Sequence, residues 1–217
     1  MSSPPPILAA NQPEPGSPST PLLIGFTRNW PILQQAVVSY LAAGWPARDI
    51  YVVDNTGVMD SNERGLLSMQ NPSYLNHTRL VAVLGVRVLT APTLLTLAQL
   101  QNFFLHTAIQ RGWDHYWWSH MDSVAVSWER LSPYKSLHRH MLDDFQADAA
   151  GGKPWRLGLK FYNFDRLALV NVAATRDVGG WDTLIPFYSS DCDSYSRLIM
   201  RGWRVLRVDA SHIFDFS

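Results

Sequence analysis

The chain has 217 residues, 47% of them hydrophobic, and its 18 basic and 18 acidic side chains leave a formal net charge of zero. This length predicts one domain that buries a core of its own. No basic run is interleaved with aromatic residues, so the composition gives nucleic-acid binding little support. The single cysteine, Cys192, excludes a disulfide within the chain and a cysteine-based zinc site.

Residues 1–20 are rich in proline and serine, and they predict a disordered leader that contributes nothing to the fold. They lack the basic start and the long apolar stretch of a signal peptide, so a cytoplasmic location is expected. No run approaches the roughly 20 apolar residues that a membrane span requires. The folded domain is therefore expected over residues 21–217.

The first apolar run, residues 22–26, predicts a buried strand that ends in polar residues. A helix is predicted between Pro31 and Gly44, because apolar residues recur there at helical spacing. Residues 50–53 predict the second strand. Strand, helix and strand in this order favour a right-handed crossover between two parallel strands.

The same alternation continues toward the C-terminus. Further helices are predicted over residues 61–70, 94–111, 129–148 and 189–201, and strands over residues 86–89, 115–119, 156–161, 167–173 and 204–208, with a loop at 151–154. This order predicts a single α/β domain with a mostly parallel, Rossmann-like sheet flanked by helices. Because open sheets of this kind bind ligands at the carboxyl ends of their strands, polar residues there are site candidates.

Two isolated acids follow predicted strands. Asp54 ends the second strand, where a carboxylate either accepts hydrogen bonds from a base or ribose hydroxyl or starts a turn. Asp122 follows the apolar strand at 115–119. A carboxylate in that place suits Mg²⁺ or Mn²⁺ bound to phosphates, since such ions take one or two carboxylates. The alternative is a helix cap or a solvated turn.

A pair of acids lies where a loop enters the predicted helix at 189–201. On a helix Asp191 and Asp193 diverge by about 200°, so they cannot share one task. Asp191 is suited to deprotonate a hydroxyl group, whereas Asp193 is placed to pair with Arg197 four residues later. The alternative is that both acids only stabilise the first helical turn.

Two further residues are candidates by position. His212 follows the last predicted strand, where it either completes an ion site with Asp122 or is an ordinary loop histidine. Trp181 lies in a glycine-flanked loop, and it is the tryptophan expected to touch a ligand.

In their order, these features resemble the family 2 type of nucleotide-sugar glycosyltransferase, which has the fold called GT-A; the resemblance covers residues 21–212. The resemblance implies donor binding by Thr27, Arg28, Asp54, Asn55, Asn102 and Asp122. It implies an acceptor or donor loop at Gly180, Trp181 and Asp182, and a catalytic base at Asp191 supported by Asp193 and Arg197. It also implies a divalent cation, Mn²⁺ or Mg²⁺, held by Asp122 and His212.

The chain departs from the family pattern at two positions. The second acid of the Asp-x-Asp metal motif is replaced by Val124, and Ser190 stands where the family has a glutamate before the base. These departures bear on the metal ion and on the acceptor, respectively.

The sequence therefore predicts transfer of a sugar from a UDP- or GDP-linked donor to a hydroxyl acceptor, with inversion and with Asp191 as the base. A nucleotidyltransferase is the less favoured enzyme class, because the loop at 27–30 contains no glycine run. A degenerate fold that binds a nucleotide sugar without turnover is the non-enzymatic alternative, and the missing second metal acid favours it.

Overall fold

The computed structural model describes residues 6–130, 132–150, 156–185 and 188–215, with the backbone alone at 148–150. The predicted loop at 151–154 lies outside these ranges. The strands are β1 (Leu22–Phe26), β2 (Ile50–Asp54), β3 (Arg87–Thr90), β4 (His115–Ser119), β5 (Ser123–Val126), β6 (Leu157–Tyr162), β7 (Leu167–Asn171), β8 (Arg204–Val208) and β9 (His212–Asp215). The α-helices are α1 (Trp30–Ala42), α2 (Met59–Glu63), α3 (Leu97–Gln110), α4 (Leu137–Ala150), α5 (Val172–Asp177) and α6 (Ser190–Met200).

Seven strands form one sheet in the order β3-β2-β1-β4-β7-β6-β8. Strands β3, β2, β1 and β4 run parallel, β7 runs antiparallel to both its neighbours, and β8 pairs parallel with β6. The carboxyl ends of β1, β2 and β4 therefore meet at one edge. The predicted fold class, a mostly parallel sheet flanked by helices, is confirmed.

Both faces of the sheet are covered because successive strand residues point to opposite sides. On one face Ile24 of β1 packs in a cluster with Leu33 and Val37 of α1. On the other face Leu23 packs with Phe104 of α3. Because both faces are covered, the strands are apolar along nearly their whole length, and this is the pattern that predicted a buried sheet.

Helix α3 lies very close to β1 at a glycine. A Cβ atom added to Gly25 would sit 2.5 Å from Cδ2 of Leu100. The absence of a side chain at this position lets the helix approach the strand.

Several predicted elements differ in extent from those observed; the helix predicted over 94–111, for example, begins at Leu97, after its N-cap Thr96. The helix predicted over 61–70 is limited to α2 (Met59–Glu63), since Gly65 then adopts a φ of 65°. The helix predicted over 129–148 begins only at Leu137, after Pro133 and after the hydroxyl of Ser136, which accepts from the N–H of Arg139.

The strand predicted over 167–173 ends at Asn171, because the Asn171 side chain caps α5 by accepting from the N–H of Ala174. The ribbon of β5 and β9 was not predicted at all. Its two strands pair antiparallel outside the main sheet.

The leader also differs from its prediction. Within the described residues 6–20, Asn11 is buried and its Nδ2 donates to the carbonyl of Ala42 in α1 at 2.7 Å. Thr20 is buried, and its N–H donates to Asp49 at 2.8 Å while its hydroxyl lies 2.8 Å from Nε2 of His138. This segment therefore packs onto α1 and α4 rather than standing apart from the fold. None of the helices in the described ranges is long and apolar enough to cross a bilayer.

Candidate active site

The predicted acids lie at the carboxyl edge of the sheet, but in different surroundings. The register pairs Phe26 of β1 with Asp54 of β2, and Ile24 of β1 with Ser119 of β4. Thr27 and Arg28 continue from β1 as exposed residues. Loops from β1, β2 and β4 therefore leave the sheet side by side.

Asp54 is fully buried and its carboxylate is surrounded by donors. One oxygen accepts from the N–H and the hydroxyl of Thr56 at 3.2 and 2.7 Å. The other accepts from Nδ2 of Asn62 at 3.3 Å and lies 3.2 Å from Nε2 of His77. Both oxygens are thus engaged within the protein: the contacts with Thr56 are those of a turn-starting aspartate, whereas the contacts with Asn62 and His77 were not predicted.

The two asparagines assigned to the donor site hold loops. Asn55 donates to the carbonyl of Leu95 at 3.0 Å and accepts from its N–H at 2.8 Å. Asn102 of α3 donates to the carbonyl of Trp181 at 2.9 Å and accepts from its N–H at 2.8 Å. Each amide side chain therefore substitutes for a strand partner and fixes the segment that it faces.

Asp122 lines a cavity of about 280 Å³ together with His120, Asp165, Arg166 and Asp215. His120 and Asp122 leave the end of β4, whereas Asp165 and Arg166 come from the turn between β6 and β7. The two segments are tied together, because the hydroxyl of Ser119 donates to the carbonyl of Arg166 at 2.9 Å. Three carboxylates and one guanidinium thus face one small space.

Arg166 is the cation of this cavity. Its Nη2 lies 2.7 Å from Asp215 of β9, and the charges of Asp122 and Asp165 add to this hydrogen bond in raising the pKa of the guanidinium. The hydrogen bond from Arg166 in turn lowers the pKa of Asp215. Nε of Arg166 is buried and has no hydrogen-bond partner within the described residues.

Asp165 links this cavity to the helix that carries Asp191. The hydroxyl of Tyr195 in α6 donates to Asp165 at 3.1 Å, and Nε2 of His120 lies 4.0 Å from its other oxygen. Burial raises the pKa of Asp165, and the charge of Asp191 raises it further, against the lowering effects of His120 and Tyr195. Burial and the charge of Asp165 also raise the pKa of Tyr195. The carboxylates of Asp165 and Asp191 are therefore electrostatic neighbours.

Asp191 is the second residue of α6 and lines a larger cavity of about 560 Å³. Its wall includes Leu97 and Ala98 from the first turn of α3, so the N-termini of two helices meet there. Partial positive charge at helix N-termini stabilises a carboxylate. Asp191 is half-buried at this junction.

The predicted pair of Asp193 and Arg197 is confirmed, at 2.8 Å. The same guanidinium donates to the carbonyls of Val178 and, at 2.8 Å, of Gly180. Because Asn102 holds Trp181 from the other side, the loop at 179–182 is fixed between α3 and α6.

Within this loop, Gly180 leaves no room for a side chain. It has a φ of 78°, and an added Cβ would lie 2.6 Å from Oδ1 of Asn102. Trp181 is buried and packs edge-on against Tyr195 at 6.0 Å between ring centroids. Asp182 begins a turn by accepting from the N–H of Leu184 at 2.8 Å. The loop thus supports the helix that carries Asp191.

His212 is not brought next to Asp122. The register of the ribbon pairs Asp215 with Ser123, the residue after Asp122, and pairs His212 with Val126 at the other end. Three strand residues separate these positions by roughly 10 Å. The His212 ring stacks on Phe214 and meets the edge of Trp128. The nearest strand neighbour from β9 is therefore Asp215, which the sequence analysis did not select.

The residues around Asp122 set a limit on a metal site. Among the described residues, no three His, Cys, Asp or Glu side chains are gathered closely enough to hold one ion. A cation bound to a diphosphate needs only one or two protein carboxylates, because phosphate oxygens and water complete its shell. Asp122 with His120 or Asp165 meets this lower requirement. The donor set therefore fits a diphosphate-bound cation but not a fully protein-ligated one.

Sequence reasoning missed His120, Asp165, Arg166 and Asp215. His120 was within reach, since its spacing of two residues from Asp122 after a strand is that of a paired ligand motif. The other three come from a hairpin turn and from β9, and their place depends on pairings that the local pattern does not show.

The seven-stranded, mostly parallel sheet carries its candidate acids at one carboxyl edge, as the doubly covered α/β folds that bind ligands there do. A scan of protein-family models finds no match, and a search of curated proteins finds none either. Among solved structures, the chain is similar to the mannosyltransferase PcManGT from Pyrobaculum calidifontis, in complex with GDP-Man and Mn²⁺, with a TM-score of 0.55 and 13% identity. It is also similar to GalNAc-T7 with UDP, GalNAc and Mn²⁺, with a TM-score of 0.61 and 10% identity.

These similarities cover 88% and 91% of this chain, but only 55% of the mannosyltransferase chain and 43% of the GalNAc-T7 chain. They show the GT-A fold, without indicating family 2 in particular.

Proposed function

We propose that this protein transfers a sugar from a nucleotide diphosphate sugar to a hydroxyl acceptor. The observation that carries the proposal is the position of Asp191, which lines a cavity at the start of α6, while Tyr195 of the same helix donates to Asp165 in the cavity that Asp122 lines. Transfer of a sugar from a diphosphate requires a base for the acceptor and a cation for the diphosphate. The cavity of Asp191 would supply the base, and the cavity of Asp122 would attract the cation.

Asp191 is the proposed general base. A base of this kind must lie within hydrogen-bond reach of the hydroxyl proton, and the cavity beside Asp191 leaves space for that hydroxyl. Attack by the deprotonated hydroxyl from the side opposite the leaving diphosphate inverts the anomeric carbon. Arg197 and Asn102 act as positioning residues, since they fix the loop on which α6 rests.

The cavity lined by Asp122, Asp165 and Asp215, called the acid cavity below, is the proposed binding site of the diphosphate. Its three carboxylates would repel a diphosphate, and the one positive charge of Arg166 does not balance them. Binding there therefore requires a further cation. A divalent cation, when bound, neutralises charge that develops on the departing diphosphate. Asp122 with His120 or Asp165 would hold it, and the neighbours' Mn²⁺ complexes support this part of the proposal.

The exposed turn at Thr27 and Arg28 is proposed to contact the nucleotide. Asp54 and Asn55 would lie beneath the bound nucleotide. To contact the base directly, either residue would have to give up one of its present hydrogen bonds within the protein.

The test is a donor screen with product identification. UDP- and GDP-sugars are incubated with and without Mn²⁺, and binding is followed by calorimetry. Wild-type protein is expected to consume one donor class in a cation-dependent manner. Asp191→Asn is expected to lose about 10²–10⁴-fold in turnover while keeping its donor affinity. Near-normal turnover by that variant would exclude Asp191 as the base.

A second candidate is binding of a nucleotide sugar without turnover. It is favoured by the limited ligand set at Asp122 and by the internal hydrogen bonds of Asp54. Tight donor binding with no hydrolysis or transfer in the same screen would support this candidate over the enzyme.

A further inference from the structure

The cavity beside Asp191 has an apolar wall. Leu97 and Ala98 from the start of α3 line it together with Ile185 and Tyr188. Of its described polar lining residues, Thr96 already uses its hydroxyl to accept from the N–H of Gln99, and Ser190 is buried. Asp191 is the one charged side chain among the described residues that line the cavity.

Large apolar side chains are exposed at this cavity. Of the residues that line it, Tyr188 is 80% and Leu97 48% exposed. Single exposed apolar residues are ordinary on protein surfaces, whereas a group of them around one concave site marks a binding surface. Here Leu97 and Tyr188 line the same cavity as the carboxylate of Asp191.

The backbone supports the same interpretation. Tyr188 and Ser189 have φ values of 49° and 66°, so two successive residues other than glycine adopt the left-handed region just before α6. Such backbone strain is uncommon for residues other than glycine and concentrates at binding sites. The two residues turn the chain into α6, and Tyr188 lines the cavity that Asp191 also lines.

The volume of about 560 Å³ lies within the range of small-molecule sites, which are mostly apolar with a few polar groups that fix orientation. A free sugar offers hydroxyl groups on every side and would leave most of them facing apolar carbon here. A molecule with one hydroxyl near an apolar or aromatic body would satisfy both the wall and the carboxylate.

We infer that the acceptor presents its hydroxyl on an apolar or aromatic carrier, which occupies the cavity between α3 and α6 while Asp191 meets the hydroxyl. This inference rests on the proposed function for the chemical step, but the binding of the carrier is a property of the cavity alone.

The experiment uses two matched acceptor pairs, ethanol with 2-phenylethanol and methyl with phenyl β-glucoside, and the donor found in the screen. Within each pair the phenyl member is expected to have a KM about tenfold lower, since burial of an aromatic ring contributes more than the 1.4 kcal/mol of a tenfold change. Leu97→Ser and Tyr188→Asn are expected to remove that preference; Asn tolerates positive φ. Ile109→Ser, an exposed residue at the other end of α3, is the matched control and should keep it.

Equal KM values within both pairs for the wild-type protein would overturn the inference while leaving glycosyl transfer intact. If no donor is consumed at all, the proposed function fails, and saturation-transfer NMR with 2-phenylethanol then decides the inference by itself. A signal that is present in wild type and in Ile109→Ser but lost in Tyr188→Asn supports the cavity, and no signal in wild type overturns it.

Discussion

Asp54 and Asp191 are both acids at the carboxyl edge of the same sheet, yet their surroundings differ in almost every respect. Asp54 is fully buried, and both of its oxygens have partners within the protein. Asp191 is half-buried in the first turn of α6 and lines a cavity. The comparison teaches that position at a sheet edge makes an acid a candidate, whereas adjacent space and lone pairs that no described donor occupies make it available for chemistry.

The supporting residues show the same division. Around Asp54, the side chains of Thr56, Asn62 and His77 converge on the carboxylate itself. Around α6, Asn102 and Arg197 instead bind the backbone of the loop beneath the helix. The first arrangement immobilises the acid, and the second immobilises its support while leaving the acid open.

The largest expected effect on stability is at Asp54. Asp54→Ala should lower the free energy of unfolding by about 3 kcal/mol, because it leaves buried donors without an acceptor and removes a charged hydrogen-bond partner. Asp191→Asn should cost no more than about 1 kcal/mol, the scale of a helix-terminus charge. Urea unfolding of both variants measures the difference.

A reversed order of the two stabilities would contradict the comparison. If Asp54→Ala instead unfolds like the wild type but loses affinity for the nucleotide, Asp54 is a donor-binding residue that exchanges its partners, as the resemblance implied.

The next effect tests the support of α6, with two adjacent glycines. Gly179 and Gly180 have φ values of 80° and 78°, but an added Cβ meets nothing within 4 Å at Gly179 and lies 2.6 Å from Asn102 at Gly180. Gly179→Ala should cost about 1 kcal/mol, for the backbone conformation alone. Gly180→Ala should cost about 1–2 kcal/mol more, since the half-buried Asn102 side chain must move or lose its hydrogen bonds to Trp181.

Gly179→Ala is the control for backbone strain in that pair, and thermal or urea unfolding reads both variants. Gly180→Ala should also lower turnover, because the loop positions the helix of Asp191. Equal stabilities for the two variants would show that Asn102 yields freely and that the loop is not clamped.

Much of the fold follows from local patterns. The apolar runs of β1, β2 and β4 and the helical spacing of α1 and α3 placed these elements to within a few residues, because both faces of the sheet are covered and the strands are apolar throughout. The early end of β7 depends on a side-chain cap at Asn171, and the late start of α4 on Pro133 and Ser136. Such boundaries are set by single contacts rather than by periodicity.

The candidate site was predictable only in part. The pairing of Asp193 with Arg197 follows from helical spacing and was found, whereas the neighbours of Asp122 come from a hairpin turn and from β9. The engagement of Asp54 requires Asn62 and His77 to fold back onto it, which the sequence does not reveal. A residue type and its strand position are local properties, but the availability of a carboxylate is a tertiary one.

The smallest expected effect concerns the link between the two cavities. The pKa of Asp165 is raised mainly by burial and further by the charge of Asp191. Asp191→Asn removes a like charge and should therefore lower the pKa of Asp165. Carboxyl-detected NMR titration measures it directly, with Asp193→Asn as the matched control on the same helix.

The sign for stability follows from the raised pKa. The folded state takes up a proton on Asp165 at a higher pH than the unfolded chain does, so this group opposes folding at neutral pH. The unfavourable effect of the ionised Asp165 carboxylate on folding is relieved as pH falls through its pKa in the folded protein toward 3.8, the ordinary pKa of an aspartate. Asp191→Asn should shrink this relief while Asp193→Asn leaves it as it was. An unchanged Asp165 titration in Asp191→Asn would show that the two cavities are electrostatically independent.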